Sequence, residues 1–372
     1  MKIFFAGGGT AGHVNPALAI ASHMKQVSPD TQIAFSGGVG GIEETLVARA
    51  GYPIYTFPLS GLSRSMSLGG VQKNFRAIRN TVSAVRRAKK ILREQKPDIV
   101  IGTGGYACFP MVSAAQSLGI KTAVVEVNAT PGVALKRLAR KADTILVSFE
   151  ETKAHFPQSK HVVYTGSPVR PEMFEARGMP QDKLFDNDKP TVLCFWGSVG
   201  AMYMNKKMED FIELLSKDGS FNLLQAAGKT NFQWMPGEIR DHGVDLEHSG
   251  NIRLTEYIYD MAHVMNACDL VICRAGASTL AEVCACGKPS LIIPSPYVAD
   301  NHQEKNARAL ERAGAARVAL EPEVDGRSLF EQTKALLHDR AALDDMGRKA
   351  AAMAREDALD RIEQAIRETV AR

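Results

Sequence analysis

The 372-residue sequence is short of features that mark several common protein classes. It contains no apolar run long enough to span a bilayer, and it starts directly on the predicted strand 2–6 without a signal-peptide pattern. Its net charge of +4 is too small to favour nucleic acid as a partner. These absences argue against a membrane-spanning, exported or nucleic-acid-binding protein, while 45% hydrophobic residues are enough for two buried cores.

The cysteines also lack a pattern. None of the six belongs to a C-x-x-C pair, and Cys284 and Cys286 are two residues apart on a predicted helix, so they point to nearly opposite sides. A metal knuckle or a disulfide scaffold is therefore not expected. We expect all six to behave as small apolar residues in a reducing cytosol.

One segment has no acidic residue at all. Residues 64–93 carry only basic charge, and from Val71 onward apolar residues recur at helical spacing. The predicted stripe contains Val71, Phe75, Ile78, Val82, Val85 and Leu92, and the flanking arc of about 100° contains Arg76, Arg79, Arg86, Arg87 and Lys90. Two interpretations remain open: a helix packed on the sheet with a solvated basic face, or a surface attracted to anionic lipid.

A further absence concerns the first glycine loop. Gly7, Gly9 and Gly12 follow the strand 2–6 in the G-x-G-x-x-G spacing of dinucleotide-binding proteins, before a helix predicted from Ala17. The second strand, 32–36, ends without a carboxylate before Glu43, which argues against NAD. The loop could still hold another anion or an acceptor diphosphate.

His13 closes this loop at the predicted mouth of a parallel sheet. Histidine titrates near neutrality and is the commonest general base, so His13 is a candidate catalytic residue. The alternative is a histidine hydrogen-bonded into its own turn.

The most informative stretch is 269–306, which predicts a strand, a tight turn, a helix, a second strand, a loop and a second helix. We expect Ser278 or Thr279 to cap the helix, whose N-terminus would bind phosphate. Glu282, about one turn inside, could reach two vicinal ribose hydroxyls, so the pattern favours a nucleotide. The alternative is a core βαβ unit in which Glu282 only supports the cap.

The chain divides into two similar halves. Residues 165–171 have the Gly/Pro character of a domain boundary, and a new strand, 191–195, then leads into Trp196-Gly197-Ser198. Each half repeats the order strand, glycine turn, helix. This predicts an α/β protein with two doubly wound domains, residues 1–165 and 166–351.

Four motifs together resemble the MurG-type glycosyltransferases of peptidoglycan synthesis. They are Gly7-Gly8-Gly9-Thr10-Ala11-Gly12-His13, Gly102-Thr103-Gly104-Gly105-Tyr106, Thr165-Gly166-Ser167-Pro168-Val169-Arg170, and Arg274-Ala275-Gly276-Ala277-Ser278-Thr279-Leu280-Ala281-Glu282 with His302-Gln303-Glu304-Lys305-Asn306. The resemblance implies a GT-B fold, with two Rossmann-like domains facing a cleft and a C-terminal helix, about 352–372, packing back on the first.

The resemblance also implies an activity. This is the inverting transfer of N-acetylglucosamine (GlcNAc) from UDP-GlcNAc to the C4 hydroxyl of N-acetylmuramic acid (MurNAc) in undecaprenyl-diphospho-MurNAc-pentapeptide (lipid I), giving lipid II. The enzyme would be peripheral, at the anionic cytoplasmic face of the cell membrane, and would use no cofactor. No metal would be needed, because a helix N-terminus and Arg170 would stabilise the departing diphosphate.

Residue roles follow from the same resemblance. The donor diphosphate and ribose would be held by Ser198 and by Ala277, Ser278, Thr279, Leu280, Ala281 and Glu282. Ile258 would present its backbone to uracil, and Gln303 would contact the sugar. Contacts from the other side would come from Thr10, Ala11, Gly12, Asn128 and Arg170. His13 would be the base, with Glu126 as the other candidate at this sheet edge.

The chain departs from the family pattern at three places. Ala11 replaces a glycine, Val125 and Val127 stand where the family has His and Gln, and Trp196 replaces a glycine. Three alternatives are weighed beside the main hypothesis: a GT-B enzyme with another lipid acceptor such as diacylglycerol, a non-catalytic UDP-sugar- or lipid-binding relative, and an NAD-dependent oxidoreductase, which the missing acid disfavours.

Overall fold

The structure is a computed structural model of the full chain. It describes residues 1–59, 68–159, 161–177, 179–180, 183–197, 200–298 and 301–372. The chain separates into two compact units, one formed by Met1–Val169 with Asp357–Arg372 and the other by Arg170–Glu356. Each unit contains one parallel sheet with its own apolar core, so each can be described by itself.

The described elements alternate between strand and helix along most of the chain. The strands are β1 Lys2–Gly7, β2 Gln32–Gly38, β3 Ile54–Phe57, β4 Ile99–Gly104, β5 Lys121–Glu126, β6 Thr144–Val147, β7 Val162–Tyr164, β8 Thr191–Phe195, β9 Asn222–Ala226, β10 Ile252–Thr255, β11 Leu270–Cys273, β12 Ser290–Ile292 and β13 Arg317–Val318. The helices are α1 Ala11–Val27, α2 Ile42–Arg49, α3 Leu68–Gln95, α4 Phe109–Leu118, α5 Val133–Ala139, α6 Pro171–Ala176, α7 Met202–Asp218, α8 Met235–Asp241, α9 Met261–Ala267, α10 Ala277–Ala285, α11 His302–Arg312, α12 Gly326–His338, α13 Arg340–Met353 and α14 Ala358–Ala371.

The first sheet has the order β3-β2-β1-β4-β5-β6-β7, and every pairing is parallel. Its central strands are apolar on both faces, as expected where helices cover a parallel sheet. Ile3, Phe4 and Phe5 are completely buried. The sequence order reverses between β1 and β4, which is where doubly wound sheets bind ligands.

The second sheet has the order β10-β9-β8-β11-β12-β13 and is also parallel. Its order reverses between β8 and β11. The prediction of two Rossmann-like α/β halves is therefore confirmed. Helix α14 belongs to the first unit, where Arg361 Nη2 donates to the Tyr164 carbonyl at 2.8 Å and Ile362 and Ile366 are fully buried.

The packing of α3 corrects the predicted apolar stripe. The buried side of the helix is formed by Ala77, Ala84, Ala88, Ile91 and Leu92. Phe75 is 73% exposed and Val82 47% exposed, so they do not pack on the sheet. Hydrophobic periodicity predicted the wrong side of α3. The small alanines allow close approach to α4 and form the buried side, whereas the larger apolar residues lie on another side of the helix. The side chains of Val71, Arg76 and Ile78 lie outside the described part of the chain.

One element boundary also differs from expectation. Helix α1 begins at Ala11 instead of Ala17 and contains Pro16 in its second turn. The six cysteines are buried free thiols, as predicted. Burial raises the pKa of the Cys273 thiol to about 12. Among the described residues, no helix is both long and apolar enough to cross a bilayer.

Candidate functional site

Most of the predicted site residues that the structure describes lie at the reversal points of the two sheets. In the first unit, β1 and β4 lie side by side, and an irregularity in their register pairs Ala6 with Gly102 and then Gly7 with Gly104. Both strands therefore end in glycine turns at the same edge. This is the edge at which a doubly wound fold holds its ligand.

The two glycine turns touch through their backbones. Gly9, Gly104 and Gly105 have φ values of +87°, +110° and +72°, in the region that favours glycine. A Cβ placed on Gly105 would lie 2.1 Å from the Gly8 carbonyl oxygen, so no other residue fits there. The close approach fixes the position of one turn relative to the other.

His13 lies in the first turn of α1, and not in the loop where the sequence pattern placed it. Its N–H donates to the Thr10 carbonyl at 3.1 Å, and its own carbonyl accepts from Thr103 Oγ1 at 2.7 Å. Its ring lies against the second glycine turn, because a Cβ on Gly104 would be 2.5 Å from Nδ1. Thr10 is the N-cap residue of α1, and Ala11 and Gly12 start the helix.

A residue outside the predicted site, Glu43, occupies the inner side of the first glycine turn. Its side chain is only 1% exposed. Oε2 accepts from the Gly9 N–H at 3.0 Å and Oε1 from the Gly38 N–H at 2.7 Å. The carboxylate missing from the end of β2 is thus supplied from α2, but it is buried and bonded to protein amides.

Glu126 ends β5 and organises the turn that follows. Its Oε1 accepts from the backbone N–H and from the side-chain amide of Asn128, each at 2.9 Å, and its Oε2 accepts from the Gly132 N–H at 3.1 Å. Burial raises the pKa of this carboxyl, and the bonds from Asn128 and Gly132 oppose the rise. Glu126 and Asn128, both candidate site residues, are therefore hydrogen-bonded to each other.

In the second unit, the reversal point carries the N-terminus of α10. The N-cap residue is Gly276, which has no side chain to cap the helix, and the first turn contains no acidic residue. Ser278 and Thr279 lie inside the first turn, so the prediction that one of them caps the helix is wrong. The Leu280 N–H donates to the Gly276 carbonyl at 3.0 Å, so the first bond of the helix starts at the N-cap residue. The segment formed by Ala277, Ser278, Thr279, Leu280 and Ala281 therefore lies at the positive end of the helix dipole.

Glu282 lies in the second turn of α10 with its side chain 15% exposed, and Arg170 is beside it. The Arg170 Nη2 to Glu282 Oε1 distance is 3.8 Å. Burial raises the pKa of the Glu282 carboxyl to about 7, and the Arg170 guanidinium partly opposes the rise. Arg170 was expected on the opposite side of the ligand, but it belongs to the same unit as Glu282.

Gln303 and Asn306 link α11 to two loops at this edge. Gln303 Oε1 accepts from the Ser295 N–H at 2.8 Å, and Asn306 Nδ2 donates to the Ala275 carbonyl at 3.2 Å. The spacing of three residues places both amides on one side of the helix. Gln303 is thereby oriented by the loop that follows β12.

The remaining predicted residues are peripheral to these contacts. Ile258 is buried in the loop between β10 and α9. Ser198 lies outside the described residues. Trp196, one of the departures, is buried in the core beneath its loop, 5.7 Å from the Arg274 guanidinium. Its ring therefore lies in the protein interior and not on the solvent side of the loop.

Comparison with known proteins identifies the family. Residues 3–147 match the glycosyltransferase family 28 N-terminal domain, and residues 191–362 match its C-terminal domain. A UDP-N-acetylglucosamine--N-acetylmuramyl-(pentapeptide) pyrophosphoryl-undecaprenol N-acetylglucosamine transferase of Acetivibrio thermocellus is 41% identical over 99% of this chain and 98% of the relative. One of the same description from Desulforamulus reducens is 38% identical over 97% of both chains.

The chain belongs to the MurG family of glycosyltransferases. The crystal structure of Acinetobacter baumannii MurG superposes with a TM-score of 0.71 at 28% identity, covering 99% of each chain. The predictions of family, GT-B fold and N-acetylglucosaminyltransferase class are therefore confirmed. The roles of individual residues stay predictions.

Sequence reasoning missed Glu43 in this MurG-family chain. The available signal was the group of glycines around it, because Gly37, Gly38 and Gly41 leave room for a side chain from α2. These glycines indicate a buried Glu43 only once the fold is known, because the fold places β1 beside β2.

Proposed function

We propose that this chain transfers GlcNAc from UDP-GlcNAc to the C4 hydroxyl of MurNAc in undecaprenyl-diphospho-MurNAc-pentapeptide, with inversion at the anomeric carbon. The observation that carries the proposal is the uncapped N-terminus of α10 with Glu282 and Arg170 beside it. An anionic diphosphate and a neutral diol are the two groups such an arrangement suits.

The donor end of the proposal assigns one role to each group. The α10 N-terminus receives the diphosphate, and the Glu282 carboxylate accepts hydrogen bonds from the two ribose hydroxyls. Arg170 is close enough to Glu282 to contact the same nucleotide, and its charge offsets that of the diphosphate. Ile258 meets the uracil through its backbone, and Gln303 contacts the sugar through its amide nitrogen, because its oxygen already accepts from Ser295.

The transfer step needs a base and a stabilised leaving group. His13 takes the proton of the C4 hydroxyl while that oxygen bonds to the anomeric carbon of GlcNAc. The bond between the anomeric carbon and the UDP oxygen breaks on the opposite face. The electron pair leaves with UDP, whose charge is stabilised by Arg170 and by the N-terminus of α10.

The exposed side of α3 supports attachment to an anionic membrane surface. At about 100° per residue, Phe75, Arg79, Val82, Arg86 and Lys90 share one side of the helix, opposite the buried alanines. All five are exposed, and Phe75 and Val82 add apolar area to the positive charge. We call these five residues the basic face. An interfacial helix combines the same two features, basic residues and apolar residues that enter the lipid.

Vesicle binding tests the basic face. The triple variant Arg79→Gln, Arg86→Gln, Lys90→Gln should bind phosphatidylglycerol vesicles about 10²-fold more weakly, from roughly 1 kcal/mol per basic residue. Turnover of a soluble short-chain acceptor should be unchanged. The control replaces three exposed arginines of the second unit, Arg312, Arg317 and Arg327, with Gln. Equal losses in both variants, or no loss in either, would leave the basic face without a membrane role.

The function itself is tested by offering the purified protein UDP-GlcNAc with a lipid I analogue and identifying the product. We expect a disaccharide with an inverted GlcNAc linkage. Transfer to diacylglycerol and not to the muramyl acceptor would redirect the proposal to another lipid glycosyltransferase. If UDP-GlcNAc bound but GlcNAc were transferred to neither acceptor, the chain would be a UDP-sugar-binding protein without transferase activity.

A further inference from the structure

The first glycine turn surrounds a buried carboxylate. A Cβ placed on Gly8, Gly37 or Gly41 would lie within 2.1, 2.3 and 2.5 Å of a Glu43 side-chain atom. Glycines from three segments, the turn after β1, the end of β2 and the N-cap of α2, therefore enclose Glu43. The sequence leaves space for this one side chain.

The charge of Glu43 is balanced by backbone dipoles. Among the described residues it makes no ion pair, and its two oxygens accept from the Gly9 and Gly38 amides. It also lies in the first turn of α2, where the helix dipole favours a negative group. These are the interactions that a phosphate makes with a glycine-rich turn and a helix N-terminus.

The contacts of Glu43 lead to His13 through one short path. Glu43 holds Gly9, the residue before Thr10, and the Thr10 carbonyl accepts from the His13 N–H. On the opposite side, Gly8 touches Gly105, and Gly104 touches the His13 ring. A displacement of the first turn would therefore move the imidazole, although Glu43 itself does not touch it.

We infer that Glu43 is a positioning residue for the transfer reaction: its buried carboxylate takes the place of a bound phosphate inside the first glycine turn and holds the turn in the geometry that orients His13. The inference rests on the proposed role of His13. It also excludes the Gly9 amide as a ligand of the acceptor diphosphate, since that N–H is already used and a second anion there would be repelled.

The isosteric variant Glu43→Gln tests this. A carboxamide accepts from one of the two amides and turns its NH₂ toward the other, so the turn should shift. We expect kcat to fall about 10²-fold, as for a small misplacement of a catalytic group. The KM for UDP-GlcNAc should not change. The acid limb of the pH–rate profile, which reports protonation of the proposed base His13, should shift along the pH axis. Glu43→Asp, which keeps the charge but cannot reach both amides, should show the same pattern and serves if the Gln variant does not fold.

Glu44→Gln is the matched control. Glu44 is adjacent to Glu43 on α2, and the substitution removes the same charge. Among the described residues, its carboxylate accepts a side-chain hydrogen bond only from the exposed Gly40 amide. It should keep wild-type kinetics. Wild-type kcat and pH profile in folded Glu43→Gln would overturn the inference, as would a kcat loss explained entirely by the unfolded fraction.

A second readout separates this inference from the proposed function. The ring resonances of His13, assigned by comparison with His13→Asn, should shift in chemical shift and in titration midpoint in Glu43→Gln but not in Glu44→Gln. This measurement needs no turnover. If the wild type fails to transfer GlcNAc while the ring responds, the proposed function fails and the positioning contact stands. An unchanged ring overturns the positioning role even in an active enzyme.

Discussion

The two reversal points start from the same local pattern and end with different electrostatics. After β1, the turn is closed on its inner side by Glu43, whose carboxylate bonds to Gly9 and Gly38. At β11, the turn leads to α10, whose N-terminus has no side-chain cap and no acidic residue in its first turn. The first unit supplies its own anion at the turn, whereas among the described residues the first turn of α10 contains no acidic side chain.

The difference teaches that a glycine-rich turn after a parallel strand is not by itself a phosphate site. The amides of such a turn need a negative partner, and either the protein or a ligand can supply it. In the first unit the protein supplies it, which suits a turn that stays fixed around His13 in its proposed role as base. In the second unit the nucleotide of the proposed function would supply it. The following predictions test this contrast, from the largest effect to the smallest.

The largest effect should come from His13. His13→Asn keeps a hydrogen-bonding side chain but removes the base, so kcat should fall by about 10²–10⁴-fold. UDP affinity should stay the same, because the elements proposed to bind the donor belong to the second unit. Steady-state kinetics and calorimetry with UDP measure the two quantities. The exposed His155→Asn, in the same unit, is the control.

Near-normal turnover of His13→Asn would show that the first glycine turn is not organised around a catalytic base. His13 would then be a turn-stabilising residue. Glu126, the other candidate base at this edge, would inherit the role, although three N–H groups already donate to it.

The second prediction concerns Glu282. Glu282→Ala removes charge-assisted hydrogen bonds to the ribose, so UDP affinity should fall by about 1.5–3 kcal/mol, or roughly 10–150-fold. Calorimetry measures the loss, with circular dichroism to show native secondary structure. The control is Glu175→Ala, an exposed carboxylate on α6 of the same unit. Unchanged affinity would remove Glu282 from the nucleotide site and favour a role in supporting α10.

The third prediction compares a glycine that encloses Glu43 with the N-cap glycine of α10. A Cβ on Gly37 would lie 2.3 Å from Glu43 Cγ, so Gly37→Ala should lower the free energy of unfolding by about 1–3 kcal/mol. A Cβ on Gly276 would meet only Thr279 Oγ1, at 3.6 Å. Gly276→Ala should therefore leave stability within about 0.5 kcal/mol while weakening UDP binding. Denaturant unfolding and calorimetry check both; equal destabilisation would show that the second turn is as tightly filled as the first.

The smallest effect is a pH dependence of nucleotide binding. Burial raises the pKa of the Glu282 carboxyl to about 7, and the ionised form is the better acceptor of two hydroxyl hydrogens. The affinity for UDP should therefore increase as pH rises from about 6 to 8. Below the pKa of Glu282 the increase should approach about tenfold per pH unit, and binding should release a proton. Calorimetry in buffers of different ionisation enthalpy measures the release. Glu282→Gln should remove both effects, and an equal pH dependence in this variant would assign them to another group.

The sequence by itself determined the strand–glycine–helix order of both halves, the family and the presence of a helix after β11, although not its N-cap residue. These features are local: apolar runs form buried strands, glycines permit positive φ, and residues near a helix start lie where the dipole is strongest.

Only the tertiary structure decided how the turns are used. Glu43 reaches Gly9 across 34 positions of sequence because β1 and β2 are neighbours in the sheet, and no local pattern encodes that contact. Arg170 and Glu282 are likewise far apart in the sequence and are brought together only by tertiary packing. The face of α3 that packs was set by the close approach of alanines to α4, which left Phe75 and Val82 exposed against the hydrophobic periodicity. Local sequence fixes which groups a segment can offer; the packing of distant segments determines which of them remain available to a ligand.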